Sequence, residues 1–269
     1  MLRTVFITAT LATAFVVAGT AQTRSSRAGF SGCDGDWNSR RASFCEVRDT
    51  TIPGVNPIDI DAGRNGGIRV RGWDRAEALV HAVIRAQADT DAQARATVAG
   101  VRIEAAGGSI KAAGPGTGDD ANWSVSFEVN VPRNAILTLN TQNGGISIDD
   151  FSGSAQFHAR NGGLSLTNVG GDLRGETTNG GVTVDLTGDH WDGQGLDVET
   201  KNGGLRLNVP QGYSAQLETG TTNGGLNIDF PINVEGNFRR GGHITTTLGA
   251  GGPKIRAVTT NGGVTIRQR

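Results

Sequence analysis

The residues of this chain that could carry chemistry are four histidines, two adjacent carboxylate pairs and two cysteines. His81, His158, His190 and His243 stand far apart in sequence. None belongs to an H-E-x-x-H zinc pattern, and no G-x-S-x-G elbow or Cys-His pairing occurs. Asp119-Asp120 and Asp149-Asp150 adjoin, but neighbours on a strand point to opposite faces, so neither pair need converge on one substrate. Gly114-Pro115-Gly116-Thr117-Gly118 lacks the Lys-Ser/Thr that a phosphate cradle requires and reads as a surface loop. No catalytic residue, metal site or cofactor is expected from these patterns.

Two local features point to something other than catalysis. Gly188-Asp189-His190-Trp191-Asp192-Gly193-Gln194-Gly195 is an insertion within a repeat, and such insertions often protrude on the binding face. Trp191, flanked by Asp189, His190 and Asp192, could stack on a sugar; the competing reading has it covering an edge of the core. Cys33 and Cys45 are twelve residues apart. In an oxidising compartment an even pair most simply forms one disulfide. A lipid-modified Cys33 is the alternative, although Arg24 and Arg27 separate it from the apolar run before it.

That run opens the chain. Arg3 supplies a positive start, Val5 to Ala18 is apolar apart from threonines, and Gly19-Thr20-Ala21 offers small residues for cleavage between Ala21 and Gln22. It is shorter than the ~20 apolar residues of a membrane span. Residues 1–21 therefore read as a signal peptide. The mature chain is expected to be exported, periplasmic or at the cell surface, with no integral membrane segment after signal removal.

The elements that must position any site come from a repeat. Asn-Gly-Gly occurs seven times, at Asn65, Asn143, Asn161, Asn179, Asn202, Asn223 and Asn261. Each copy continues as aliphatic–polar–aliphatic, as in Leu164-Ser165-Leu166. Thr141, Thr177, Thr200, Thr221 and Thr259 stand two residues before their asparagines. From Asn143 the steps are 18, 18, 23, 21 and 38, the last splitting at a worn copy, Arg240-Gly241-Gly242-His243-Ile244. A period near 20 marks a repeat architecture. Each period holds two short alternating strands, Leu164 to Val169 and Asp172 to Thr178 in one example, with one face inward.

Asn-Gly is also a hairpin signal, so an antiparallel meander competes. A meander leaves its apolar face uncovered, whereas a parallel solenoid sets Leu164 over Val182 and buries it. The solenoid is the expected fold: all-β, with coils of about 18–23 residues and corner glycines in left-handed conformations. Coils stacked in chain order would leave Asn261 at the end, with a neighbour on one side only. Outward Ser147, Ser165, Thr183, Arg206, Asn227 and Thr265 would form a column.

The first half is less regular. Ala76 to Ala88 and Trp123 to Val131 alternate as strands. Thr90-Asp91-Ala92-Gln93 reads as a capping box opening a short helix through Ala99, and Gly107-Gly108-Ser109-Ile110 as another worn repeat. The expected divisions are a disulfide-looped segment (22–54), an irregular β-rich half (55–140) and the repeat solenoid (141–269), with 55–269 one continuous domain.

The repeats, the exported start and the glycine-rich β-structure resemble a bacterial family labelled "putative adhesins", of the DUF4097 type. The resemblance covers roughly residues 55–269. It implies a β-solenoid-like fold in a cell-envelope or surface setting and brings no catalytic residues. Composition agrees: 42 of 269 residues are Gly, about twice the usual share, without collagen's three-residue period. Lys and Arg total 25 against 26 Asp and Glu, so no basic excess exists to hold nucleic acid. A calcium roll is excluded because the residue after Gly-Gly is always apolar in the seven copies. The expected function is an adhesin-like interaction module whose partner is a protein or glycan of the envelope. A periplasmic scaffold or stress-linked structural protein is the alternative, and a carbohydrate-active β-helix enzyme rests on fold analogy alone.

Overall fold

The computed structural model describes residues 32–33, 41–54, 56–118, 121–231 and 242–269. The expected signal peptide with its anticipated Ala21–Gln22 cleavage point, Asp119-Asp120 and Arg240-Gly241 lie outside these residues. The first half contains β1 (Ala42–Ile52), β2 (Ile58–Asp61), β3 (Ile68–Trp73) and β4 (Ala78–Ala88), then α1 (Asp91–Gly100), β5 (Arg102–Ala106), β6 (Ser109–Ala113) and β7 (Ala121–Pro132). The repeats supply β8 (Ile136–Asn143), β9 (Ile146–Phe151), β10 (Ser154–Asn161), β11 (Leu164–Val169), β12 (Asp172–Asn179) and β13 (Val182–Asp185). They continue through β14 (Gly195–Asn202), β15 (Leu205–Val209), β16 (Ala215–Asn223), β17 (Leu226–Ile228), β18 (His243–Leu248), β19 (Lys254–Asn261) and β20 (Val264–Gln268).

Each Asn-Gly-Gly corner passes the chain from one sheet to the other, so the corners are not hairpins. The strand before the Asn joins a sheet ordered β18-β16-β19-β14-β12-β10-β8-β2-β6-β5. The strand after the glycines joins a second, ordered β1-β4-β7-β3-β9-β11-β13-β15-β20-β17. Neighbouring repeat strands pair in parallel with equivalent residues opposed, Leu164 on Val182 and Ile146, and Asn161 on Asn143 and Asn179. This is a β-solenoid. Its alternate residues, including Ile148, Leu166, Val184, Leu207 and Ile266, have no exposed surface and fill the space between the sheets.

The corner glycines are required by close approach. A Cβ on Gly162 would lie 2.0 Å from the carbonyl oxygen of Gly144, and one on Gly180 would lie 2.2 Å from that of Gly162. The expected left-handed conformations are not the reason. Among these corner glycines only Gly262 has a positive φ, +154°, and none of the corner asparagines has one. Positive φ at non-glycine residues falls on the opposite edge, at Asp150 (56°) and Asn168 (52°).

The corner polar groups are largely satisfied between coils. Asn side chains form a continuous amide ladder: Asn143 donates to Asn65, Asn161 to Asn143, Asn179 to Asn161 and Asn202 to Asn179. The recurring Thr has its own role. Buried hydroxyls of Thr141, Thr177, Thr200, Thr259 and Thr221 donate at 2.6–2.8 Å to the carbonyls of Gly66, Gly162, Gly180, Gly203 and Gly262 in the adjacent coil. A buried carbonyl left unpaired would cost about 1–3 kcal/mol.

The order of the stack departs from the order of the chain. The ladder ends Asn202–Asn261–Asn223, because Asn261 donates to Asn202 and Asn223 donates to Asn261. β19 inserts between β14 and β16, and β20 between β15 and β17. The expectation that Asn261 ends the stack is therefore wrong. The worn repeat at Gly242-His243-Ile244 forms no coil either: β18 runs antiparallel beside β16. Gly107-Gly108 likewise turns an antiparallel hairpin, β5 on β6, with φ of +59° and +86°.

The first half extends both sheets. β7 adds in parallel to β3, and β4 and β1 follow in antiparallel pairing. β6 adds to β2. The strand expected over 76–88 is β4, and Trp123 to Val131 lies within β7. The capping box is complete, since Thr90 accepts from the Gln93 amide and Gln93 accepts from that of Thr90. Val98 of α1 and Val101 after it join the core at this end, where the Arg48 guanidinium donates to both of their carbonyls. Cys33 and Cys45 are disulfide-bonded, which leaves no Cys33 thiol for acylation and fastens Cys33 to β1.

Two stability measurements check this account. Gly262→Val should lower the urea midpoint as much as Gly180→Val, each costing about 1–3 kcal/mol or more, because Gly262 lies between Gly203 and Gly224. A much milder Gly262→Val would contradict an interior terminal coil. Cys45→Ser should lower the melting temperature, with a loss of about 3 kcal/mol for so short a loop.

Candidate functional site

The inserted segment before β14 folds inward. Trp191 is 1% exposed, and its indole N–H donates to the Gly171 carbonyl at 3.0 Å. A ring so placed packs with the core and offers no face to a sugar. Asp189 and His190 remain exposed and pair with each other at 2.6 Å. The hydrogen bond from His190 holds the Asp189 carboxyl below its ordinary range, aided by its own backbone amide. Asp192 is exposed, and its carbonyl accepts from the Gly171 amide at 2.6 Å. The four residues anticipated as a binding cluster are thus divided between core and surface.

The insertion also braces the next turn. The Asp189 carbonyl accepts from the Ser214 amide at 2.7 Å, and Tyr213 lies beside this contact at 4% exposure. Burial, assisted by the Asp189 charge, pushes the Tyr213 phenol up to about 12.

Among the described residues His81, His158 and His190 and their adjoining carboxylates stand in separate pairs. His81 contacts Asp49 at 2.6 Å and His158 contacts Glu176 at 2.8 Å. Asp150 accepts from Asn168 at 2.7 Å, while Asp149 lies beside Ser147. These pairs are on separate parts of the surface strands, each carboxylate occupied by a neighbour. Among the described residues no group of three or more His, Cys, Asp or Glu is placed to hold a metal ion. No helix among them is long and apolar enough to cross a membrane.

Two outward surfaces follow from the register. On one sheet Arg69, Ser147, Ser165, Thr183, Arg206, Thr265 and Asn227 align in that order. This is the anticipated column with its last two members exchanged and Arg69 added. On the other sheet Arg256 bridges Asp197 at 2.5 Å, Glu199 at 3.4 Å and Glu218 at 3.5 Å, and Lys254 meets Glu218 at 2.5 Å. The Lys254 hydrogen bond holds the Glu218 carboxyl low, partly opposed by burial. These charges satisfy one another.

A different arrangement occurs at the Asn65 end of the ladder. An open groove of about 520 Å³ is lined by Arg64, Asn65, Asn122, Trp123 and Ser124, with Thr117, Gly118 and Asn143 completing it. Trp123 is half-buried, and its indole N–H donates to Pro115 at 2.8 Å, which fixes the ring at the groove wall. Arg64 is exposed and makes no ion pair among the described residues. The groove thus combines an immobilised aromatic wall, side-chain amides that donate and accept, and a guanidinium shaped for carboxylate. Sequence reading passed over it because its walls come from segments far apart in the chain, brought together where β7 meets the Asn65 coil. Of the anticipated corner residues only Asn65 and Asn143 line it.

Tyr213 supplies a spectroscopic check on the packing around the insertion, since the chain has a single Tyr. The raised phenol favours the neutral form in the fold. Its stabilising contribution is complete below the unfolded value of about 10 and is lost as pH rises through about 12. Phenolate absorbance in the folded protein should therefore appear well above pH 10, or together with alkaline unfolding. A reversible midpoint near 10 in folded protein would contradict the buried placement.

The family described as Toastrack DUF4097 matches residues 82–267. No curated protein matches the sequence. Among solved structures, the chain is similar to a "putative cell adhesion protein" from Clostridium sporogenes, at 12% identity and TM-score 0.44, over 84% of this chain and 100% of that one. A "putative adhesin" from Bacteroides fragilis has 12% identity and TM-score 0.35, over 84% and 97% of the two chains. A "putative lipid binding protein" from Parabacteroides distasonis has 11% identity and TM-score 0.24, over 88% and 99%. With most of its length matched by the family, and with the stacked two-sheet solenoid described above, this chain belongs to the Toastrack DUF4097 family.

Proposed function

We propose that this protein is an exported, non-enzymatic interaction module of the cell envelope or surface, and that the groove at the Asn65 end of the ladder receives a carboxylate-bearing glycan. The carrying observation is Arg64, exposed and without an ion pair among the described residues, beside Trp123 and the amides of Asn65 and Asn122. Elsewhere on the repeat surface Arg174, Lys254, Arg256 and Arg269 engage carboxylates. Arg160, Lys201 and Arg206 make no ion pair among the described residues, but none of them lines this groove beside an aromatic ring. A saccharide would rest against the ring edge, exchange hydroxyl hydrogen bonds with the amides and place its carboxylate on Arg64. The Cys33–Cys45 disulfide supports an oxidising compartment, as does the apolar start of the sequence.

Among the described residues no group of His, Cys, Asp or Glu that could hold a metal ion occurs, and the groove's lining is amides, hydroxyls, an indole and a guanidinium. On this reading the ligand is held and released unchanged. An envelope scaffold is the second reading, favoured by the long polar columns, which offer a repeating surface to a protein. Cell fractionation separates the two: a surface or released pool fits adhesion, and a strictly periplasmic pool fits the scaffold.

A glycan array read for both binding and cleavage tests the proposal. Wild type should bind acidic saccharides without cleaving them. Arg64→Ala should weaken that binding about tenfold or more, the size of a lost hydrogen-bonded charge contact, with no change in melting temperature. Absence of glycan binding, or binding indifferent to Arg64→Ala, would overturn the groove as the site.

A further inference from the structure

Every corner of the stack contains an Asn-Gly bond, and that dipeptide has intrinsic chemistry. With no Cβ to hinder it, the Gly amide nitrogen can attack the Asn Cγ. An N–Cγ bond forms, the Cγ–Nδ2 bond breaks, and ammonia departs with the Gly proton relayed through water. The resulting succinimide adds water at either carbonyl. Addition at Cγ leaves aspartate; addition at the backbone carbonyl leaves isoaspartate, with the following Gly joined through Cγ. The reaction requires the Asn side chain to leave its partners and the Gly nitrogen to be accessible and able to lose its proton.

Inside the stack these movements are opposed. Asn143, Asn161, Asn179, Asn202 and Asn261 each donate to one neighbouring corner and accept from the other. The amides of Gly162, Gly180, Gly203 and Gly262 donate at 2.9–3.0 Å to Asn carbonyls of the next coil, and that of Gly66 does so at 3.3 Å. The two ends of the ladder are therefore not equivalent. At the Asn65 end, Gly66 is buried against the Val125 carbonyl and its N–H is held. At the other end, Asn223 makes a single side-chain bond, to Asn261 at 2.8 Å. Neither its Oδ1 nor the Gly224 N–H has a partner among the described residues. The Gly144 N–H also makes no bond there, but Gly144 is half-buried between Gly66 and Gly162, and the Asn143 amide is held by both Asn65 and Asn161. Gly224 is exposed, whereas the first glycine of each of the other six corners is buried or half-buried.

We propose that Asn223-Gly224 is a self-modification site: in the folded protein Asn223 converts to aspartate and isoaspartate while the other six corner asparagines persist. The threading of the terminal coil decides which residue this is. Had the coils stacked in chain order, Asn261 would occupy the open end. Conversion removes the amide that donates to Asn261 and adds a negative charge at the end of the ladder. The isoaspartate product also lengthens the backbone between β16 and β17, loosening the shortest strand of the stack.

The test incubates the purified chain in mildly alkaline buffer, folded and in denaturing urea, and maps all seven corners by mass spectrometry with isoaspartate quantified. In folded protein, conversion at Asn223 should run several-fold faster than at any other corner, rise with pH and produce a more acidic isoform that Asn223→Gln does not form. In urea the seven should convert at comparable rates. Folded protein converting at Asn161 or Asn179 as fast as at Asn223 would overturn the proposal, as would full protection of Asn223. A preference for Asn223 that persists unchanged in urea would also overturn it, since local sequence rather than the stack would then set the pattern.

Discussion

Parallel coils one strand spacing apart, about 4.8 Å, leave no room at their shared corner for a side chain on the first residue after the Asn. From Gly144 to Gly262, a Cβ at that position would lie about 2 Å from a carbonyl oxygen of the neighbouring coil, and the rest of the corner follows from that crowding. Backbones so close bring carbonyls beneath threonine hydroxyls and set asparagine amides at hydrogen-bonding distance. Thr, Asn and Gly each answer a different part of one packing problem. Ala159 occupies the Thr position in the Asn161 coil, where the stack forgoes a hydroxyl bond but retains the ladder.

A stack of this kind has two ends, and exposed strand edges invite pairing with other chains. At one end α1, the β5–β6 hairpin and the antiparallel β4 and β1 extend and cover the core. At the other, β19 and β20 thread back into the stack, and among the described residues the three-residue β17 and the antiparallel β18 are outermost. The terminal coil thereby gains a neighbour on each side, so fraying it requires breaking ladders in both directions.

Regular stacking also explains where specific binding is and is not supported. The columns on both sheets repeat the same few side chains. On one sheet the carboxylates Asp197, Glu199 and Glu218 are matched by Arg256 and Lys254 of adjacent coils, and on the other Arg69 and Arg206 share a column with small hydroxyl side chains. Departure from regularity creates the groove, because the Asn65 coil meets β7 and the loop before it there. Family membership describes the scaffold, and function depends on the site that the scaffold carries.

Sequence periodicity alone determined the corners, the strand pairs and the inward face, since residues such as Leu164 and Val182 can be buried together only if every coil uses the same register. The capping box at Thr90 and the alternating strands of the first half were equally legible, because local hydrogen bonding and alternation specify them. Other features depended on distant contacts. Neither spacing nor composition distinguishes a final coil at the end of a stack from one inserted before its predecessor, since both satisfy the same pattern. Trp191 carries the same flanking residues whether it faces solvent or core, and the Gly171 carbonyl and neighbouring buried side chains decided that only in the folded chain. The groove belongs to tertiary structure altogether, because Arg64, Asn122 and Trp123 become neighbours only when β7 is laid beside the first coil.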